Sequence, residues 1–111
     1  MEKVYNKLVR DNIPDIILNK GEKPITRTLS NEEYKIELEK KLYEEYQEVL
    51  SATNPQEKLE ELADMLEIII SLARLEDSNI DNVIEIAKRK KIKRGGFDKK
   101  IFLEKVLDNS K

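Results

Sequence analysis

Residues 42–75 read LYEEYQEVLSATNPQEKLEELADMLEIIISLARL and decide the fold, because two amphipathic helical patterns flank one tight turn. Thr53-Asn54-Pro55 predicts the turn, with Asn54 as N-cap of the second helix and Pro55 at its first position. A connection this short makes the helices antiparallel neighbours. Residues at i and i+3 project from one helix face, so carboxylates at that spacing are predicted to face each other across the turn. These carboxylate pairs are Glu45/Glu48 and Glu61/Asp64.

Glu45 occupies a position where an apolar residue is expected. Leu38, Leu42 and Val49 mark one stripe of the first helix, and Glu45 lies between Leu42 and Val49 in that stripe. An unpaired carboxylate on a buried face costs several kcal/mol, so such groups are paired or bind a metal ion. The pattern therefore indicates a carboxylate with a function rather than a surface charge.

The second helix repeats this pattern. Because an α-helix turns by about 100° per residue, Glu61 and Asp64 are predicted to lie beside an apolar stripe. That stripe consists of Ile68, Leu72 and Leu75. Inward-facing carboxylates in a chain without histidine or cysteine describe an all-oxygen site, which suits Mg²⁺ and also Mn²⁺. Two solvated acidic helix faces are the competing interpretation. The predicted metal ligands are Glu45, Glu48, Glu61 and Asp64.

The carboxylate motif also resembles a known pattern. E-x-x-E at residues 45–48, followed after twelve residues by E-x-x-D at 61–64, is similar to the metal-binding signature of the MazG-like all-α nucleoside triphosphate pyrophosphohydrolases. Residues 5–14, YNKLVRDNIP, resemble the opening of the phosphoribosyl-ATP pyrophosphohydrolase-like branch, and residues 94–97, RGGF, resemble its late loop. Together the three blocks cover roughly residues 4–103.

This resemblance implies an enzyme that hydrolyses a nucleoside triphosphate, or a close relative, to the monophosphate and pyrophosphate with Mg²⁺. Nucleotide-pool house-cleaning is the physiological role that it suggests. Glu45 would then be catalytic as well as a ligand, and Glu44 would be either an extra ligand or the general base, since the chain has no histidine. The candidates for neutralising the substrate's phosphates are Lys7, Arg10, Lys91 and Arg94.

Two other functions fit the same pattern. Hydrolysis of phosphoribosyl-ATP in histidine biosynthesis uses the same chemistry on a larger substrate, and no residue selects between the two. A non-catalytic helical module that binds a nucleotide or a protein is the competitor from another class. The basic run at residues 88–94 has its own alternatives: favourable charges at a helix C-terminus, a nucleic-acid patch, or a phosphate-binding rim.

Composition excludes several classes of protein. The chain has 111 residues, 39% of them hydrophobic and 40% charged, which predicts a single domain with a thin core. A formal net charge of −2 predicts no general affinity for nucleic acid or membranes. Without cysteine and histidine, disulfides, thiol nucleophiles and Ser-His-Asp chemistry are excluded. No apolar run approaches the ~20 residues of a membrane span, and residues 1–4 lack a secretory signal core, so a cytoplasmic location is expected.

The whole chain is predicted to be an all-α helical bundle of three long helices and a short N-terminal one. Its segments are an N-terminal segment at 1–29, a helical core at 30–93, and a Gly-Gly loop and tail at 94–111. The third long helix is expected to bury Ile80, Val83, Ile84 and Ala87, and residues 101–103 are expected to cover the core.

Self-association is expected because the second long helix is apolar on two sides. One chain offers too few helices to cover both stripes. A two-fold partner is the commonest solution, so we predict a homodimer, or a dimer of dimers, whose core includes residues 62–75.

Overall fold

The computed structural model describes residues 2–108, which form four helices and no strand. The helices are α1 (Ile13–Asn19), α2 (Asn31–Ser51), α3 (Pro55–Leu75) and α4 (Ile80–Arg94). The predicted all-α class is confirmed, and the three long helices lie within or close to the predicted helical core at 30–93. Across residues 2–108, no helix combines the length and the apolar character that a membrane crossing requires.

Both long helices that carry the carboxylates begin at complete caps. At α2, the Ser30 side chain accepts from the Glu33 backbone N–H at 3.2 Å, and the Glu33 carboxylate accepts from the Ser30 backbone N–H at 3.3 Å. This reciprocal pair is a capping box. At α3, the Asn54 side chain accepts from the Glu57 N–H at 2.9 Å, with Pro55 in the first turn. Local sequence therefore fixes where each helix begins.

The turn before α3 is closed by a second set of bonds. The Glu57 carboxylate accepts from the Thr53 backbone N–H at 2.9 Å and from the Thr53 hydroxyl at 3.0 Å. The bond from the Thr53 backbone, followed by that from the hydroxyl, lowers the pKa of Glu57. These bonds therefore stabilise the folded state when the pH is above the ordinary pKa of glutamate. The stabilisation is lost as the pH falls through the lowered pKa of Glu57.

Removing the α3 cap is expected to weaken the fold measurably. Asn54→Ala leaves the Glu57 N–H without its side-chain acceptor, so we expect the free energy of unfolding to fall by about 1 kcal/mol. Asn54→Asp keeps an acceptor and serves as the control. Urea denaturation followed by circular dichroism measures both variants, and an unchanged midpoint for Asn54→Ala would contradict this role of the cap.

The chain divides into two compact units, one ending at Ile80 and the other beginning at Asp81. In the first unit, α2 packs against α3. Among residues 2–108 the buried side chains are Leu38 from α2 and Ile68 and Ala73 from α3. Only three buried residues in the described part of the chain make a small core, which agrees with the thin core predicted from composition. The division at Ile80 differs from the predicted segment boundaries, while the single-domain interpretation stays a prediction.

The second unit contains nearly all of α4 and the residues that follow it. No residue of α4 is buried, so the expected burial of its apolar face is wrong: Ile80 and Val83 are half-buried, and Ile84 and Ala87 are exposed. The expectation for residues 101–103 is also wrong, because they form no strand and Phe102 is 87% exposed. Apolar periodicity marks a face that favours burial, but it does not identify what covers that face.

Candidate metal centre

Three carboxylates converge between α2 and α3. Glu45 comes from α2, and Glu61 and Asp64 come from α3. One carboxylate oxygen from each lies within 4.8 Å of the others, and all three residues are partly buried. We call these three residues the carboxylate cluster. Three of the four carboxylates that were predicted to face each other therefore lie close together.

A bond beside the cluster ties the two helices together. The Lys58 ammonium donates to the Val49 backbone carbonyl at 2.6 Å. Lys58 lies one turn before Glu61, and Val49 lies one turn after Glu45, so this bond spans the helix pair close to the cluster. This bond therefore adds to the apolar packing of α2 against α3.

The Glu45 carboxylate has an unusual environment. Its Oε2 atom is buried and has no hydrogen-bond partner among the described residues. Burial raises the pKa of Glu45, and the neighbouring Glu61 carboxylate and the negative charge of Asp64 raise it further, whereas the Lys41 charge opposes the shift. A buried acceptor without a donor is costly, and a cation would satisfy it.

Asp64 already has a cationic partner. The Arg10 guanidinium donates from Nη2 to Asp64 Oδ1 at 2.8 Å and forms an ion pair with it. Arg10 lies in the N-terminal segment before α1, and its backbone carbonyl accepts from Ile13 N–H at 3.1 Å. The start of α1 therefore holds the backbone of Arg10 while its side chain reaches the cluster.

The donor set fits a hard divalent cation. The cluster offers only oxygen atoms, three carboxylates supply more negative charge than one Arg balances, and one oxygen is buried without a donor. Mg²⁺ and Mn²⁺ bind through a few carboxylates and complete their coordination with water and substrate oxygens. The site would therefore hold such an ion through Glu45, Glu61 and Asp64.

The remaining predicted carboxylates lie outside this cluster. Glu48 is exposed and is not among the three residues whose oxygens converge. Glu44 is also exposed, and its Oε2 atom lies 3.6 Å from the Lys41 ammonium. The roles of Glu48 as a ligand and Glu44 as a base stay predictions.

The predicted phosphate-binding residues are distributed over both units. Arg10 contacts the cluster through Asp64. Lys7 is exposed, and its ammonium lies 5.7 Å from the centroid of the Tyr5 ring. Lys91 and Arg94 lie near the end of α4 in the second unit, where both are exposed. Their roles toward phosphate stay predictions.

Sequence reasoning missed the direct contact between Arg10 and Asp64. The two residues are 54 positions apart, and no local pattern joins them. Charge could have indicated the contact, because a carboxylate that faces inward needs a cationic partner. Arg10 was a candidate, since it lies in residues 5–14, which resemble the opening of the phosphoribosyl-ATP pyrophosphohydrolase-like branch. Lys41, which opposes the raised pKa of Glu45, was also missed.

Comparisons with known proteins leave the family open. No family model matches the chain, and no solved structure matches it. A curated protein of Mycolicibacterium smegmatis, described only as uncharacterized, is 44% identical over 54 residues. The match covers 49% of this chain and 55% of that protein, so the chain spans about half the length of the curated relative.

Proposed function

We propose that this chain is a Mg²⁺-dependent pyrophosphohydrolase that converts a nucleoside triphosphate, or a close relative, to the monophosphate and pyrophosphate. The observation that carries the proposal is the carboxylate cluster, in which a buried Glu45 oxygen has no hydrogen-bond donor among residues 2–108. The order and spacing of the acidic motifs, which resemble the MazG-like signature, supply the reaction class.

The chemistry follows from the charge of the substrate. When bound, a divalent ion would supply charge neutralisation at phosphate oxygens and a lower pKa for an attacking water. Glu45, Glu61 and Asp64 would hold the ion, and an adjacent carboxylate such as Glu44 would accept the proton of the water. Arg10 would balance part of the remaining charge of the triphosphate. A cytoplasmic location, where nucleoside triphosphates are made and consumed, belongs to the same proposal.

We also propose that the chain acts as a homodimer or a dimer of dimers. Leu59, Leu62 and Leu66 form a row along α3, and they are 61%, 44% and 47% exposed. On α2, Tyr43, Tyr46 and Leu50 are exposed as well. Exposed apolar side chains at helical spacing on both helices favour contact with another protein surface. A second copy would cover them with the same self-complementary patch.

A product assay tests the proposed reaction. The protein is incubated with a panel of ribo- and deoxyribonucleoside triphosphates and phosphoribosyl-ATP, with Mg²⁺ or with EDTA, and released pyrophosphate is measured. We expect Mg²⁺-dependent pyrophosphate from at least one triphosphate. Release from phosphoribosyl-ATP alone would favour the histidine-biosynthesis alternative. If no substrate in the panel is cleaved, a non-catalytic binding module is favoured instead.

Substitution of Arg94 tests the predicted phosphate rim. Arg94→Ala is expected to lower kcat and kcat/KM alike, by about tenfold or more, because a hydrogen bond to a charged group contributes about 1.5–3 kcal/mol. Lys93→Ala is the matched control, since it removes a neighbouring cation from the same helix end. Steady-state kinetics compare the two, and equal rates for both variants and the wild type would assign Arg94 to the solvated surface.

A further inference from the structure

We propose that Arg10 acts as an internal counter-ion of the carboxylate cluster and opposes the divalent cation there, so that cation binding releases Arg10 from Asp64. This inference rests on the proposed function, because it takes the carboxylate cluster as the metal site. It assigns Arg10 a positioning role that couples residues 2–12, which precede α1, to occupancy of the site.

The first argument is geometric. Arg10 Nη2 lies 2.8 Å from Asp64 Oδ1, and Asp64 has an oxygen within 4.8 Å of oxygens of both Glu45 and Glu61. A cation held by these three residues would therefore lie a few ångströms from the guanidinium. At such separations a divalent and a monovalent cation repel each other even with partial screening by water. Each lowers the affinity of the cluster for the other, and this coupling is reciprocal.

The second argument is that the ion pair contributes little to the stability of the fold. The Arg10 and Asp64 side chains are 58% and 43% exposed, so water screens their attraction. The ion pair also leaves the buried oxygen of Glu45 without a donor among the described residues, so Arg10 balances charge at one carboxylate only. A divalent cation satisfies more of the cluster than the guanidinium does, so it is the stronger competitor.

The third argument is that the backbone and the side chain of Arg10 are held by different helices. Its backbone carbonyl is held by the first turn of α1, whereas its side chain meets Asp64 of α3. Loss of the ion pair therefore frees the guanidinium without unfolding α1. Once released, the guanidinium remains near the cluster and is available to an anionic substrate. The cation would therefore bind before the substrate contacts Arg10.

Metal affinity without substrate tests the inference. Binding of Mn²⁺ is measured by electron paramagnetic resonance of the free ion, in the wild type, Arg10→Gln, Arg10→Lys and Arg27→Gln. Arg27→Gln is the matched control because it removes another exposed Arg–carboxylate ion pair, at 3.0 Å from Glu33, which is outside the cluster. We expect Arg10→Gln to bind Mn²⁺ about two- to fivefold more tightly, a range that corresponds to an exposed ion pair. Arg10→Lys and Arg27→Gln should stay near the wild-type affinity.

A structural readout accompanies the affinity. In the wild type, titration with diamagnetic Mg²⁺ should shift the Arg10 Nε–Hε resonance toward that of a free guanidinium, while the Arg27 resonance stays in place. If the wild type binds Mn²⁺ but Arg10→Gln binds it equally or more weakly, the inference is overturned and the metal centre stands. If neither the wild type nor Arg10→Gln binds Mn²⁺, the metal centre fails, and the inference fails with it.

Discussion

Replacing Glu45 by glutamine is expected to abolish Mg²⁺-dependent hydrolysis while making the metal-free protein more stable. Loss of a ligand charge removes several kcal/mol of transition-state stabilisation, which corresponds to about 100-fold or more in rate. The metal-free fold gains because the substitution removes a partly buried charge that Asp64 and Glu61 repel. Product assays and thermal unfolding in EDTA measure the two effects.

Asp64→Asn is the informative companion. It should also abolish hydrolysis, but its gain in metal-free stability should be smaller than that of Glu45→Gln, because Asp64 already has Arg10 as a cationic partner. Glu48→Gln, which changes an exposed carboxylate outside the cluster, tests whether the fourth predicted ligand takes part. Full Mg²⁺-dependent turnover in both Glu45→Gln and Asp64→Asn would remove these residues from the site.

The difference in stability between Glu45→Gln and the wild type in EDTA should depend on pH in a defined direction. The folded pKa of Glu45 is raised above its ordinary value of 4.5, so the folded state binds this proton more tightly than the unfolded state does. The associated stability is complete below the ordinary pKa and is lost as the pH rises through the raised value. The advantage of Glu45→Gln over the wild type in EDTA should therefore grow from about pH 4 toward neutral pH.

Disruption of the α3 row is expected to have the second large effect. Leu66→Glu places a charge in the middle of the row formed by Leu59, Leu62 and Leu66. Burying one Leu side chain contributes about 1.5–3 kcal/mol, and burying an unpaired carboxylate instead adds a further penalty. We expect this variant to dissociate at micromolar concentration, or to unfold if the separated chain cannot fold alone.

Light scattering coupled to size exclusion across a dilution series measures the assembly state. Ile25→Glu is the matched control, since Ile25 is 85% exposed in the loop between α1 and α2, outside the row. It should leave the assembly unchanged. Ile69→Glu and Leu72→Glu, at half-buried positions of α3, should unfold or dissociate the protein. A folded wild-type monomer at micromolar concentration would contradict the proposed assembly.

The sequence was sufficient for the helices because their boundaries depend on local chemistry. Ser30 with Glu33, and Asn54 with Pro55, mark helix starts through bonds made within four residues. Gly21, with φ at +85°, likewise follows the end of the short α1, because glycine adopts the left-handed conformation without strain. Such signals need no knowledge of the tertiary structure.

The candidate site was predictable only in outline. Helical spacing and one short turn were enough to bring Glu45 to Glu61 and Asp64, but they treated Glu48 as equivalent to Glu45. The distinction depends on which side chain points between the packed helices, and this is a tertiary property. The approach of Arg10 to Asp64, and the exposure of α4 and of residues 101–103, depend on tertiary placement in the same way.

The most direct test of the account is ³¹P NMR of the products formed from a mixture of nucleoside triphosphates. With Mg²⁺, the wild type should yield monophosphate and pyrophosphate resonances in equal amounts, whereas EDTA and Glu61→Gln should each suppress both. Inorganic phosphate and nucleoside diphosphate as primary products, or the same products from wild type and Glu61→Gln, would contradict a pyrophosphohydrolase centred on Glu45, Glu61 and Asp64.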